Sequence, residues 1–404
     1  MVSSFFIMIS FTGLPGLITC VESNLGYKIL CSLWQSQLIS RHNLVAIKLG
    51  KKKIKIAIAG IGNCASALIQ GAKYYSDNPN DTIGLTAFDL GGYTPDDIDV
   101  VAAFDVADTK VGKDLSEAIY ARPNNTITVA QVPPSGITVQ RGPVLDGIGR
   151  HLSRIVTPSK DPEVDVKKVL RDTGAEMLVN YLPVGSTNAV KYYATQALEA
   201  GIGFVNAMPV FIASESKWQQ VYSEKKIPLA GDDVMSQLGA TVVHKTLVKL
   251  FVDRGVEING TYQLNIGGDM DFFNMLDEER LEDKRISKTS AVKAMADYDI
   301  PMRIGPSDYV DFIDNEKICY INIEGKYFGK IPIKLDLKLK VIDAYNSAGI
   351  MIDAIRGLKI ALDRKLSGPM TSISSYCFKH PPIQMPYTEA KNAFTEFVEG
   401  KRDR

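Results

Sequence analysis

Histidine and cysteine are scarce, with four His and five Cys in 404 residues. The cysteines (Cys20, Cys31, Cys64, Cys319 and Cys377) are widely spaced, odd in number and without a Cys-x-x-Cys pair. That pattern argues against both a disulfide framework and a zinc site. His42, His151, His244 and His380 do not stand at metal-ligand spacing from one another, so a histidine-rich metal centre is not expected. Charge of one sign is also lacking: 46 Lys and Arg balance 46 Asp and Glu. A net charge of zero excludes nucleic-acid binding by bulk attraction. Nor is there an apolar run of the about 20 residues needed to span a bilayer. The run 5–14 is too short, and no Lys or Arg precedes Lys28 as a secretory signal would require. These absences leave a reducing, cytoplasmic setting and a small-molecule partner, with neither nucleic acid nor membrane.

Apolar residues make up 45% of the chain and charged residues 23%, enough to bury sizeable cores and to exclude disorder as the main state. At roughly 100–200 residues per domain, the length allows two or three domains. Residues 1–50 do not share the pattern of the rest and read as an upstream extension outside the fold. From Lys51 onward, short apolar runs at 54–59, 100–104, 177–182, 204–207 and 227–230 alternate with helical periods such as 65–75, 188–200 and 215–224. Such alternation indicates a parallel sheet with helical crossovers. After Asp233 the rhythm changes. Residues 235–253 read as a long helix, 257–266 and 330–341 alternate like half-exposed strands, and 346–366 forms a last amphipathic helix.

Gly60-Ile61-Gly62-Asn63-Cys64-Ala65 follows the first of these strands and opens a helix. In this context the pattern signals dinucleotide binding. Gly60 allows the tight turn, Gly62 lets backbone N–H groups approach a pyrophosphate, and Ala65 permits close packing. A plain strand–helix turn is the competing reading. The acid expected about 20 residues further on is missing, because a polar insertion (78–99) intervenes. Asp105, at the end of VVAAFD, is the candidate ribose ligand, with Asp89 as competitor. A helix N-cap is the other reading of Asp105 and stays open. Pro183 and Gly185 follow the strand at 177–182, where a cofactor crevice lies in open α/β sheets.

Blocks further along, in order, make a family recognisable: IAIAGIGNCASALIQG, VVAAFDV, VGKDLSEAI, TVQRGPVLDGIG, YLPVGS, VNAMPVFIAS, GDDVMSQLGAT, NIGGDMDFFNML, KRISKTSAV and NSAGIMIDAIR. The chain resembles the inositol-phosphate synthase family, above all its shorter archaeal and actinobacterial branch, from about residue 54 to 396. The resemblance implies an α/β fold. A Rossmann-like NAD-binding domain would cover 51–240, an α+β catalytic and tetramerisation domain 241–345, and a C-terminal helix and tail 346–404 would return to the first. It implies conversion of D-glucose 6-phosphate into 1D-myo-inositol 3-phosphate, the first step of inositol and phosphatidylinositol biosynthesis, with NAD reduced and reoxidised in one cycle. Oxidation at C5 acidifies C6, the resulting enolate closes on the C1 aldehyde, and the ketone is reduced again. It implies a homotetramer as well.

An enolate, an aldol alkoxide and a phosphate all call for preorganised cations. Lys284 and Lys288 stand four apart and share a face if helical, and Lys379 follows a β/aromatic run, SSYCF. Taken alone, Lys284 and Lys288 would be read as a solvated helix face. The resemblance makes all three active-site lysines. It likewise places Asp233, Asp271 and Asp343 near nicotinamide, substrate and lysines, and Asn265 and Ser236 at polar contacts to substrate and cofactor. Asn63 and Cys64 belong to the cofactor turn. Met235 stands where many relatives carry Lys, and Asp269 where Asn is expected. The acid-rich surroundings of Asp269, Asp271 and Asp343 leave room for a divalent metal ion, with no ligand set readable. From 298 to 324 the likeness is loose, and no residue is carried over. Two alternatives have other signatures. A net NAD(P)-dependent dehydrogenase of semialdehyde or homoserine type would need a nucleophilic Cys motif, and an inactive NAD-binding protein would have lost the lysines.

Overall fold

The computed structural model describes residues 53–404, together with the backbone of three short strands before them. These strands, β1 (Phe5–Met8), β2 (Leu17–Val21) and β3 (Lys28–Leu30), pair antiparallel in that order. They belong to a compact unit, Met1–Lys51, separate from the unit Lys52–Arg404. Apart from them, the expectation for residues 1–50 lies outside the described residues.

The larger unit is built on a seven-stranded parallel sheet. Its strands are β4 (Ile54–Ala59), β5 (Ile98–Asp105), β6 (Val139–Arg141), β7 (Met177–Asn180), β8 (Gly203–Asn206), β9 (Pro228–Gly231) and the short β14 (Gly368–Pro369). They lie in the order β14-β9-β8-β7-β4-β5-β6. The apolar runs read from sequence are these central strands, because a parallel sheet covered on both faces needs apolar residues at nearly every position. Ile54, Ile56 and Ile58 face one layer while Ala57 and Ala59 face the other, as the two-residue period requires. The first layer holds α1 (Asn63–Asp77), α9 (Asp343–Asp363), α10 (Thr371–Cys377) and α11 (Tyr387–Val398). The second holds α3 (Val166–Asp172), α4 (Thr187–Ala200) and α5 (Ser216–Glu224). A single-turn helix, α2 (Leu115–Ala118), follows β5.

Between β9 and α9 the chain forms a second layer pair. Helix α6 (Ala240–Asp253) packs on a four-stranded sheet ordered β11-β10-β12-β13, comprising β10 (Glu257–Gly267), β11 (Met302–Tyr309), β12 (Glu316–Lys326) and β13 (Pro332–Ile342). Helices α7 (Met270–Asn274) and α8 (Glu282–Lys293) sit between β10 and β11.

Three readings need correction. The helix expected from 235 begins at Ala240, because Gln237 and Leu238 are held in a loop by Asn346 of α9. The last long helix starts at Asp343, three residues earlier than expected. The SSYCF run before Lys379 is helical, not extended: α10 spans Thr371–Cys377, and Cys377 lies in it rather than in a strand.

Candidate active site

The turn after β4 is fixed by backbone geometry. Gly60 has φ +91, and a Cβ there would stand 2.6 Å from the Tyr181 carbonyl oxygen, so only glycine fits. Its N–H donates to Phe104 O (2.8 Å), tying the turn to β5. Gly62 caps α1 in an extended conformation, and a Cβ there would meet nothing within 4 Å. The backbone at Gly62 therefore borders open space. The first N–H groups of α1 have no partner inside the helix, which makes this turn a cradle for an anionic group.

A cleft opens at the carboxyl ends of the parallel strands. Gly60, Gly62, Asn63, Cys64, Asp105, Pro183 and Ser236 line it. Asp269, Asp271, Lys284, Lys288, Lys317, Asp343 and Lys379 line the same cleft. Sequence-expected residues from widely separated segments of the chain thus meet in one place. Gly185 and Asn265 do not line the cleft. Gly185 packs against the Arg280 side chain, and the Asn265 amide donates to Gly305 O (2.8 Å) while its Oδ1 accepts from Gln263. Asp89 is exposed in a turn, its carboxylate accepting the Gly92 N–H, and is no competitor of Asp105. Asp105 accepts N–H groups from Ile61, Val106 and Ala107. It is not a helix cap.

Asp233 is the hub of the lysine cluster. It is fully buried, left-handed at φ +59, and lies beneath the cleft rather than on its wall. Its Oδ1 is 3.0 Å from Lys379 Nζ and 3.4 Å from Lys284 Nζ, and its Oδ2 accepts from Ser287. Burial alone would raise its pKa, but the two ammonium groups hold the carboxyl well below the usual range. Lys284 has a second acid, Asp271, at 3.8 Å. Against the pull of burial, Asp233, Asp271 and Asp343 keep it charged, with its pKa raised. Lys379 shares Asp233 and has no other salt-bridge partner among the described residues, and burial with two neighbouring lysines brings its pKa down to about 8. Lys288 is 3% exposed, makes no ion pair among the described residues, and is pushed far below its ordinary value by burial and by Lys317, Lys284 and Lys379. The α8 face that would ordinarily be solvated is buried.

Sequence reasoning missed Lys317. It lies in β12, and its ammonium is 3.0 and 3.1 Å from the two Asp343 oxygens. No local motif marks it. The β12–β13 ladder pairs Lys317 with Val341 and so brings it beside Asp343, at the start of α9. Lys110 was missed as well; it is buried beside the glycine turn. Asp269 caps α7, its Oδ1 accepting the N–H groups of Asp271 and Phe272, a role that Asn would fill equally. Met235 is a buried apolar side chain. Among the described residues, no group of three or more His, Cys, Asp or Glu could hold a metal ion. Asp271 and Asp343 are paired with Lys284 and Lys317 instead, at 3.8 and 3.0 Å, so no step below is routed through a metal.

A doubly covered parallel sheet, with a glycine turn at its centre and buried lysines across its carboxyl ends, defines a Rossmann-like α/β enzyme. Comparison with known proteins narrows this. The sequence model of the Myo-inositol-1-phosphate synthase family matches residues 239–344. An inositol-3-phosphate synthase of Mycolicibacterium smegmatis is 49% identical over 86% of this chain and 98% of its own length. One from Mycobacterium tuberculosis is 46% identical over 90% and 100%. The crystal structure of an inositol-3-phosphate synthase from Caenorhabditis elegans is 14% identical and shares the fold, with a TM-score of 0.70 over 98% of this chain and 92% of that one. The chain belongs to the myo-inositol-1-phosphate synthase family.

Proposed function

We propose that this enzyme converts D-glucose 6-phosphate into 1D-myo-inositol 3-phosphate, using NAD catalytically. The observation that carries the reading is the buried set Lys284, Lys288, Lys317 and Lys379 facing the glycine turn across one cleft. The turn fits a dinucleotide: Gly62 leaves its backbone open, and α1 offers unspent N–H groups. Held by this turn, NAD would supply a reversible hydride acceptor for C5 of the open-chain sugar. Gly60, Gly62, Asn63, Cys64, Asp105, Pro183 and Ser236 are assigned to it. Cys64 is a structural member of this set, because burial pushes its thiol up to about 12 and keeps it protonated.

The chain's own groups manage charge and protons. Lys284 and Lys317 stay cationic through their acids and stabilise the phosphate and the enolate or alkoxide oxygen. Lys288, pushed toward the neutral amine, is the base we assign to the C6 proton. Lys379, its pKa brought down to about 8, can give a proton to the C1 alkoxide formed on ring closure. Asp233, Asp271 and Asp343 hold the ammonium groups in position. Residues 51–240 act as the NAD-binding domain, 241–345 as the catalytic and tetramerisation domain, and 346–404 return to the first. The enzyme is placed in the cytoplasm as a homotetramer. In support, the three cysteines of the described region are free, and no described helix is long and apolar enough to cross a membrane.

The test is to supply NAD and glucose 6-phosphate to the purified protein and follow both products. Inositol phosphate should accumulate while absorbance from NADH stays flat. Steady accumulation of NADH would favour the dehydrogenase, and no inositol phosphate, with or without added Mg²⁺, would sink the proposal.

A further inference from the structure

The Ile61 residue of the glycine turn is held from both sides. Its N–H, which belongs to the Gly60–Ile61 peptide, donates to Asp105 Oδ2 at 2.8 Å. Its carbonyl, which belongs to the Ile61–Gly62 peptide, accepts from Lys110 Nζ at 2.7 Å and from Asn124 Nδ2 at 3.1 Å. Lys110 also donates to Asn124 Oδ1 at 3.0 Å, closing a triangle of ammonium, amide and carbonyl. Lys110 is 4% exposed, its one nearby acid is Asp105 at 3.9 Å, and burial lowers its pKa. None of the chemistry assigned to the other lysines uses it.

We propose that Lys110 is a positioning residue for the dinucleotide: it anchors the Ile61 carbonyl and thereby aims the Gly62 N–H at the ligand. In a trans peptide the C=O and N–H point in opposite directions, so fixing one fixes the other. The need for an outside anchor comes from the sequence. A peptide followed by glycine turns over easily, and a flipped Ile61–Gly62 unit would present a carbonyl oxygen where a pyrophosphate needs a donor. A hydrogen bond from a charged, buried donor resists that flip better than a neutral one. Asn124 braces the same carbonyl, and its neighbour Asn125 is bonded to the Asn63 side chain, so the whole turn is set against the 124–126 segment.

This inference rests on the turn being the NAD site, and the experiment separates the two. NAD affinity is measured by calorimetry for the wild type, Lys110→Met and Asn124→Ala, with thermal melts of each, and KM for glucose 6-phosphate is taken at saturating NAD. Lys110→Met should weaken NAD by about 10–100-fold, the loss expected for one charged hydrogen bond. Asn124→Ala should weaken it less, since Lys110 remains, and KM for the sugar phosphate should change little in either. A lysine that served stability alone would lower the melting temperature and leave NAD affinity untouched, and that result overturns the clamp. Should Lys110→Met not fold, unchanged NAD affinity in Asn124→Ala overturns it instead. A wild type that binds no NAD overturns the functional reading itself.

Discussion

Asp269 closes the N-terminus of α7 with two backbone N–H groups on its Oδ1, while its carboxyl lies in the cleft beside Asp343 and Asp271. Burial and those two acids raise its pKa to about 7, which favours the protonated form well above the ordinary carboxyl range. A carboxyl raised on folding binds more protons in the folded chain than in the unfolded one between its ordinary 3.8 and about 7. The stability it contributes is present in acid and is lost as the pH rises through that window. Asn keeps the cap and removes the charge. Asp269→Asn should therefore lie nearest the wild type in stability at pH 4 and gain on it steadily as the pH rises to 8, by on the order of 3–4 kcal/mol. Equal melting temperatures at pH 8 would show that Asp269 is not raised.

At the scale of elements, legibility follows burial. Strands β4, β5, β7, β8 and β9 are readable because both faces of their sheet are covered, which leaves uninterrupted apolar runs. Strands β11 and β12 are not. The first contains Gly305 and Pro306, and the second buries Ile321, Asn322 and Ile323 in succession, which hides its period. Lys317 was lost with them, since only the register of β12 against β13 makes it a site residue. Lys284, Lys288 and Lys379 needed the family resemblance, because nothing local distinguishes a lysine buried over Asp233 from one in water. Helix α9 carries a polar fastening that its apolar stripe also concealed. Fully buried Arg356 donates to the carbonyls of Phe88 (2.8 Å) and Tyr93 (3.2 Å) and to Asp353 Oδ1 (2.6 Å), while Thr86 donates to the other Asp353 oxygen. Together with the Tyr93 hydroxyl, which donates to Asp363, these bonds pin the insertion 78–99 to the helix that lies against the sheet. Arg356→Met leaves a buried carboxylate without its cation and should cost about 3–5 kcal/mol. Urea unfolding should register the loss, with proteolysis of the native protein beginning inside the insertion. An unchanged urea midpoint would mean that the pair is not buried as described.

For the molecule as a whole, a net charge of zero conceals strong local order: five lysines and four aspartates share the walls of one cleft. The second feature at this scale is the outer face of the four-stranded sheet. The register places Leu264, Tyr320 and Lys338 in one cross-strand row and Tyr262, Asn322 and Asp336 in the next. Tyr262 and Leu264 are each 39% exposed, Tyr320 is 38% exposed, and Lys338 lies 5.5 Å over the Tyr320 ring. At the tip of the β12–β13 hairpin, Phe328 is 92% exposed. The opposite face is spent on α6 and α8, so this half-apolar sheet has no cover among the described residues. Apolar surface gathered on one face commonly marks a protein contact, and it is here that the proposed homotetramer would find its sheet-to-sheet interface. Light scattering should return four times the 44.3 kDa of one chain. Replacing Leu264 and Tyr320 together by Glu puts two charges into the middle of that interface, where burial without a partner is costly. The double variant should fall to a smaller species while its far-ultraviolet circular dichroism stays that of the wild type. A wild type that runs as a monomer removes the tetramer, and a double variant that stays tetrameric moves the interface to another face of the chain.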